Sequence, residues 1–396
     1  MKILLKGSQD MIIKEDYKMA AKQIYDIVNS VNKQTIGLTD LTVVDEQGLI
    51  SLGQTVLTTN GLADTWLNSL AQRIGRTIIS FREYKSKYSD MVLDSLQWGN
   101  IVQKIKVSMP EATEDESYNL VDGESIDMYK VADPKVKQAF FTSETPYQFF
   151  VTIKRTQLQE AFTSETSMNG FISAIYGEVQ NAIEVSLESL ARNCINNFIA
   201  ECQGTKRAIN LLALYNEETG KSLTVKTCKH DREFLAFCVS RIKLYSKYME
   251  NMSTIYNDGT QTRHTPKDLQ HLRVLEDFES RLETVVQYQA FKDGYVKLEN
   301  YHTTSFWQSA NSPSHINVKK ASDGTAVNFD PQEIVAILYD RDALGLYKKD
   351  SWNSTTPFNS AGGYYNTYYH HKELYFNDLS ENFIVFLLAD TSSASE

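Results

Sequence analysis

The chain has 396 residues, of which 42% are apolar and 23% are charged, and its formal net charge is −10. This composition is typical of a folded protein, and the acidic balance argues against a protein whose main work is to grip nucleic-acid phosphates. The four cysteines form no CxxC pair, and no uninterrupted apolar run reaches the ~18 residues that a membrane-spanning helix needs. We therefore expect two domains, or one domain with long excursions, in a reducing compartment and without a membrane partner.

The first 80 residues contain two short helical signals. Residues 1–60 are polar and mixed, with a helical pattern near 17–31. The following stretch, GLADTWLNSLAQRIGRTIIS at 61–80, predicts a short helix that gives way to a strand at Gly75.

Residues 85–145 predict a long two-stranded hairpin. The first strand has apolar side chains at every second position, and between them lie Val102, Lys104, Lys106 and Ser108. The apolar positions are Ile101, Ile105, Val107 and Met109. An acidic run, EATEDE at 111–116, predicts a solvated tip. The hairpin has too few apolar residues for a core of its own, and an isolated hairpin is marginal in water, so it must lie on another surface, for which a neighbouring subunit is one candidate.

The longest predicted element is a helix over about 167–203, preceded by a strand at 148–155. The helix contains no proline, and its apolar residues recur at intervals of three and four: Ile172, Ile175, Val179, Ile183, Leu187, Leu190, Cys194 and Phe198. Ser167 or Asn169 can cap its start, and Gly204 can supply the left-handed residue after its end. A helix about 50 Å long suits the spine of a flat molecule. A coiled coil is the alternative, which the uneven stripe disfavours because it is not a strict heptad.

A second compact region covers 205–329, and three strands follow it. Asp231 predicts the start of one helix, and a second helical pattern covers about 267–291. The strands are predicted at 333–340, 364–373 and 382–390, and the last of them is apolar nearly throughout, as in a strand covered on both faces.

No stretch carries a catalytic, cofactor or metal signature. The tyrosine-rich segment GYYNTYYHHKEL contains adjacent histidines, but neighbours on a strand point to opposite faces, so His370 and His371 cannot share one metal. ETGKS at 218–222 lacks the first glycine of a phosphate-binding loop, because Tyr215 occupies that place. We therefore expect no enzyme activity, no cofactor, no catalytic residue and no bound metal.

Several segments, in this order, resemble a known family. They are NSLAQRIGRTIIS at 68–80, TIKRTQLQEAF at 152–162, FISAIYGEVQNAIEV at 171–185, VAILYDRDALGLY, YYNTYYHHKELYF and FIVFL. The chain is similar to the major capsid protein of tailed bacteriophages, with the Hong Kong 97-type fold, and more closely to those of phi twenty-nine-like short-tailed phages. No single motif is specific, and the resemblance depends on the order of several segments.

The resemblance implies an α+β fold with a long spine helix, a long β-sheet, an extended β-hairpin loop and an N-terminal arm. The implied divisions are the arm at 1–60 and the extended loop at 85–145. The axial domain lies at 205–329, and the peripheral domain is made of 61–84, 146–204 and 330–396.

The implied function is self-assembly, as pentamers and hexamers, into an icosahedral or prolate shell that encloses the phage DNA. Scaffolding protein, portal and packaged double-stranded DNA are the implied partners, and the protein would be assembled in the bacterial host cytoplasm and reside in the virion capsid. Trp66, Trp98 and Met109 are the candidate subunit-interface residues. Two alternatives stay open, namely another virion component, such as a portal or tail-tube protein, and a cytosolic acid/base hydrolase.

Overall fold

The computed structural model describes residues 21–390, apart from 36–37, 39–40, 60, 75–83, 85, 96–100, 111–117, 119–120, 126, 128, 130, 132, 287–299, 314, 321 and 329–332. The strand expected after Gly75, the acidic run at 111–116 and Trp98 fall outside these residues. None of the described helices combines the length and the apolar character that crossing a bilayer requires.

The described helices and strands alternate irregularly along the chain. The helices are α1 Ala21–Gln34, α2 Glu46–Thr58, α3 Leu62–Ile74, α4 Arg155–Ala161, α5 Glu165–Ile172, α6 Glu178–Cys202, α7 Leu211–Thr219, α8 Val225–Cys228, α9 Arg232–Met249 and α10 Glu276–Val286. The strands are β1 Val92–Ser95, β2 Val102–Val107, β3 Val136–Phe141, β4 Glu144–Lys154, β5 Ala208–Asn210, β6 Gln270–Leu275, β7 Asn300–Thr304, β8 Asn317–Lys319, β9 Ala326–Asn328, β10 Glu333–Asp340, β11 Leu344–Thr355, β12 Tyr364–Asn377 and β13 Phe383–Leu388. Within the described ranges, 3₁₀ turns lie at Ser89–Met91, Lys267–Leu269 and Arg341–Ala343.

The long helix predicted over 167–203 is confirmed. α5 and α6 form one helix, joined by a π-helical segment at Ser173–Gly177. Its cap is Ser164 rather than the expected residues, since the Ser164 side chain accepts a hydrogen bond from the Ser167 amide. Gly204 follows the helix with a φ of 71°, a left-handed conformation that favours glycine.

The spine helix joins two hydrophobic cores. Ile183 and Leu187 belong to the same core as side chains of α1–α4, whereas Leu190 and Phe198, nearer the C-terminal end of the helix, belong to the core around a five-stranded sheet. The strand order of that sheet is β5-β13-β10-β6-β7. One rigid element therefore carries both halves of the molecule.

The tyrosine-rich segment lies inside a four-stranded sheet of order β1-β11-β12-β4, as its strand prediction requires. Tyr365 and Tyr369 are buried on the face towards the spine helix, where the Tyr369 ring meets Tyr176 edge to face. His370 stacks on Trp352 of β11 and His371 lies near Phe149, so the two histidines diverge.

The helix predicted over 267–291 is wrong in its first part. Residues Gln270–Leu275 form strand β6, and the helix begins only at Glu276. All six residues of β6 are buried, including Gln270, His271 and Arg273. In a strand covered on both faces the polar positions do not mark a solvent-exposed face, so this short sequence did not separate β6 from the helix that follows it.

The described part of the expected N-terminal arm is packed on the rest of the chain. Side chains of α1 and α2, such as Ile24, Val28 and Leu52, belong to the same core as Trp66 and Leu158. Helices α1 and α2 are therefore part of a compact core in this structure rather than a projecting limb, because their apolar faces are covered by α3, α4 and the spine helix.

Candidate assembly surfaces

The hairpin of β2 and β3 presents two unlike faces. The strands are antiparallel, with Ile105 opposite Gln138 and Val107 opposite Val136. Because side chains alternate between the faces of a strand, Lys104 and Lys106 point towards the rest of the chain while Ile105 and Val107 point away from it. This is the reverse of the usual arrangement, in which the apolar face is inward.

The inward face is held by ion pairs. Lys106 Nζ lies 2.5 Å from Asp378 Oδ2 and 2.9 Å from Glu381 Oε1, and only 8% of the Lys106 side chain is exposed. Lys104 Nζ adds a contact of 3.1 Å to Asp378 Oδ2. Burial alone would raise the pKa of Asp378, but the two lysines outweigh it and lower that pKa. The pairs fix the hairpin onto the loop that precedes β13.

The outward face of the hairpin is an exposed apolar patch. Ile105, Val107 and Met109 are each at least 61% exposed, and Phe140 on β3 is 57% exposed. Val136 lies beside them with about half of its surface in solvent. Large contiguous apolar patches of this kind mark protein–protein contacts. We call Ile105, Val107, Met109, Val136 and Phe140 the hairpin patch.

A second apolar surface covers the outer face of the four-stranded sheet. Phe150 on β4 lies opposite Tyr368 on β12, with ring centroids 6.0 Å apart. Trp352 on β11 stacks on His370 with centroids 3.9 Å apart. Phe150 and Trp352 are more than half exposed. We call Phe150, Trp352, Tyr368 and His370 the sheet patch; it is flat, because its members stand side by side on three paired strands.

A groove runs along the edge of the same sheet. β4 pairs with β12 alone among the described strands, so its other edge is open towards the spine helix. The groove between them has a volume of about 530 Å³ and is lined by residues that include Phe149, Val151, Ala174, Ile175 and Val179. An open strand edge next to apolar side chains can accept a further strand.

The three predicted interface residues have different positions. Trp66 is fully buried between α1 and α4: its ring lies 5.0 Å from Phe162 and its Nε1 donates to Asn32 Oδ1 at 3.1 Å. A side chain without exposed surface adds no contact area to a neighbour, so Trp66 is a core residue in this structure. Trp98 lies outside the described residues, and Met109 is exposed in the hairpin patch.

Sequence reasoning missed most of the residues of these surfaces. Ile105 and Val107 were recognised as alternating with lysines, but only the ion pairs of Lys104 and Lys106 decide which face is covered. Phe150 and Trp352 gave no signal, because exposed and buried aromatic residues look alike in a strand sequence.

Comparisons with known proteins agree with this architecture. A family model described as Phi29-like phage major capsid protein matches residues 24–387. The major capsid protein of Bacillus phage GA-1 is 21% identical over 359 residues, which are 90% of this chain and 68% of that protein. That of Bacillus phage B103 is 22% identical over 185 residues, which are 46% of this chain and 40% of that protein, so this match spans less than half of either.

Solved structures share the fold. A chain in the capsid structure of Staphylococcus phage Andhra is similar with a TM-score of 0.52 and 10% identity, over 79% of this chain and 87% of that chain. At this identity the likeness concerns the fold alone, which is the Hong Kong 97-type fold of phage capsids. Since the family model covers nearly the whole chain, the protein belongs to the Phi29-like phage major capsid protein family, whose members form the shell of the phage head.

Proposed function

We propose that copies of this chain assemble by seating the hairpin patch of one subunit on the sheet patch of its neighbour. The reversed hairpin supports this proposal most directly. The charges of its lysine face are neutralised by carboxylates of the same chain, while Ile105 and Val107 face solvent. Burying these side chains in an interface would contribute about 1.5–3 kcal/mol each.

The sheet patch supports this choice of acceptor. A two-stranded hairpin with a flat apolar face fits another flat face, and two sheets pack face to face about 10 Å apart. The groove beside β4 offers one open strand edge, which suits one extended strand rather than a pair. The donor and the acceptor lie on different parts of the chain, so the contact is head-to-tail, and such contacts close into rings when the rotation allows.

We further propose that these rings are the pentamers and hexamers of an icosahedral or prolate shell. The peripheral domain would consist of 61–84, 146–204 and 330–396. The extended loop at 85–145 would contact the neighbouring subunit through its hairpin, and the axial domain at 205–329 would surround the five-fold and six-fold axes. Met109 would belong to the interface between subunits. Of the expected N-terminal arm, residues 1–20 would remain as the projecting part. The role is structural, as the family implies, and we infer no enzyme activity.

Scaffolding protein, portal and packaged double-stranded DNA are the proposed partners, with assembly in the host cytoplasm before the protein resides in the virion. The net charge of −10 supports weak contact with the DNA, because phosphate binding depends on Lys and Arg. The unassembled subunit should therefore bind DNA weakly at physiological salt, and sub-micromolar binding would contradict this part of the proposal.

Assembly is tested by sedimentation and electron microscopy of the expressed full chain. Wild-type protein should form shells or sheets, whereas Ile105→Asp should stay unassembled with an unchanged unfolding midpoint, because its site is already exposed in the subunit. Ile255→Asp is the matched control, since Ile255 is also about half exposed but lies outside both patches. Shells formed by Ile105→Asp as readily as by the control would refute the role of the hairpin patch.

The acceptor is tested separately. Trp352→Asp should abolish assembly if the sheet patch receives the hairpin, because Trp352 is about half exposed and does not line the groove, while Ile175→Asp should do so if the groove receives it. Loss of assembly in Ile175→Asp alone would show that the groove, and not the sheet patch, receives the hairpin.

A further inference from the structure

Three side chains of types that can bind metal ions come from distant parts of the chain and lie close together at the start of the extended loop. Asp90 lies in the 3₁₀ turn Ser89–Met91, His271 on β6 and His302 on the neighbouring parallel strand β7. Asp90 Oδ2 is 3.6 Å from His271 Nδ1 and 3.3 Å from His302 Nε2, and the three atoms lie within 4.8 Å of one another.

The two imidazole nitrogens that face this point contact the Asp90 carboxylate but make no hydrogen bond of good geometry with it. His271 Nδ1 and His302 Nε2 are both buried, and the His271 residue is only 7% exposed. Their rings stack with centroids 5.4 Å apart and an interplanar angle of 14°, so they present their nitrogens side by side. Buried polar atoms nearly always have a well-oriented partner, and a cation bound between the two nitrogens and the Asp90 oxygen would supply one to both nitrogens.

The spacing suits a small transition-metal ion. Metal–ligand bonds of about 2.0–2.1 Å in a tetrahedral site place the donor atoms about 3.3 Å apart. The two distances to Asp90 Oδ2 already have this size, and rotation of the His302 side chain, which is 24% exposed, can close the remaining one. The exposed side of His302 leaves room for a water molecule as fourth ligand.

Arg273 bears directly on the choice of metal. Its Nη2 lies 2.7 Å from Asp90 Oδ1 and 2.9 Å from Oδ2, and the guanidinium is fully buried above the Tyr88 ring. A carboxylate has about four lone-pair positions, so it can accept from Arg273 and still bind a metal, and ligating carboxylates are commonly held by such a partner. The arginine charge nevertheless opposes a second cation. It thus disfavours Mg²⁺ and Ca²⁺, which require several carboxylate oxygens, and leaves metals that bind imidazole.

We propose that Asp90, His271 and His302 form a site for Zn²⁺ or a similar imidazole-binding divalent cation. The ion would tie the turn at the base of the extended loop to β6 and β7 of the five-stranded sheet. Since β1 begins directly after this turn and pairs with β11, the site connects the two sheets of the subunit. The sequence carries no signal of it, because the ligands are separated by more than 180 residues between the turn and β6 and come together only in the fold.

The test is titration of chelator-treated full-length protein with Zn²⁺ and, separately, Mg²⁺. Wild-type protein should bind about one Zn²⁺ per chain and melt at a higher temperature when it is added, with no response to Mg²⁺. His302→Ala should weaken Zn²⁺ binding at least about 10-fold and abolish the rise in melting temperature. His230→Ala is the control, because His230 is exposed and remote from the cluster in sequence.

Two further measurements test the site if His302→Ala folds poorly. His302→Gln preserves most of the side-chain volume and should give the same loss. Co²⁺ bound to wild-type protein should show visible absorption of a four- or five-coordinate ion, and this absorption should vanish in His302→Gln. Equal Zn²⁺ binding by wild type and both His302 variants, or no binding by wild type, would show that the cluster is an ion pair of Asp90 and Arg273 flanked by two histidines.

Discussion

The amino group of Lys106, on the hairpin, lies 2.5 Å from the carboxylate of Asp378, which is 272 residues further along the chain. Both side chains are more than nine-tenths buried, and Glu381 shares the lysine at 2.9 Å. This contact decides which face of the hairpin is available to another molecule.

Replacing Lys106 by Met should lower the free energy of unfolding by about 2–4 kcal/mol, because two buried carboxylates lose their closest cation. Lys104 still reaches Asp378, which keeps the loss at the lower end. Urea unfolding of the unassembled chain measures it. Lys137→Met is the control: Lys137 donates to the Thr260 carbonyl at an exposed position, so its replacement should cost less than about 1 kcal/mol. Equal losses for the two variants would contradict the role of the buried pairs.

Two helical glycines should respond oppositely to alanine. A Cβ at Gly53 on α2 would lie 2.5 Å from Phe162 Cβ, so Gly53→Ala should destabilise the protein by about 1–3 kcal/mol. Gly170 on α5 has open space around its Cα, so Gly170→Ala should stabilise it by about 0.5–1 kcal/mol. Thermal unfolding of both variants against wild type measures the difference. Similar shifts in the same direction would show that α2 does not pack closely on Phe162.

The free energy of unfolding should decrease as the pH rises from about 4.5 to 7, because of the carboxyl group of Glu373. Burial, opposed by Lys348 and reinforced by the charge of Glu184, raises the pKa of Glu373 from 4.5 to about 7. In this window the folded chain holds a proton that the unfolded chain has released. The free energy of unfolding therefore decreases as the pH rises, by about 2 kcal/mol in total as an order of magnitude.

Glu373→Gln tests this pH dependence, since it keeps the neutral form at every pH. The variant should match wild type near pH 4.5 and exceed it in urea resistance at pH 7.5. Glu184→Gln should recover only part of the difference, because burial is the larger cause. An unchanged pH slope in Glu373→Gln would assign the dependence to another group.

Trp66→Phe should destabilise the subunit without altering the contact between subunits. The change removes the hydrogen bond from Nε1 to buried Asn32 and leaves a gap beside Phe162, a loss of about 1–3 kcal/mol. Unfolding experiments measure this loss, and electron microscopy below the unfolding temperature should still show wild-type particles. If Trp66→Phe had wild-type stability but did not assemble, Trp66 would be an interface residue after all.

The elements that the sequence predicted well are those with one covered face. The spine helix carries an apolar stripe from Ile172 to Phe198, and β2 alternates lysine with apolar residues. Each pattern reflects the geometry of a single element and needs no knowledge of distant residues. The prediction for residues 270–275, which form β6, was wrong for the opposite reason. Both faces of this strand are covered, and polar residues such as Gln270 and Arg273 are buried with partners of their own.

The sequence by itself determined the type of the amphipathic elements, their order along the chain and, through that order, the family. Only the tertiary structure decided that Trp66 faces inward, that the lysines of the hairpin meet Asp378 and Glu381, and that Asp90, His271 and His302 converge. The physical reason is the range of the interactions involved. Periodicity records whether an element has a buried face, whereas the partner of that face is set by contacts between residues far apart in sequence, which no local pattern encodes.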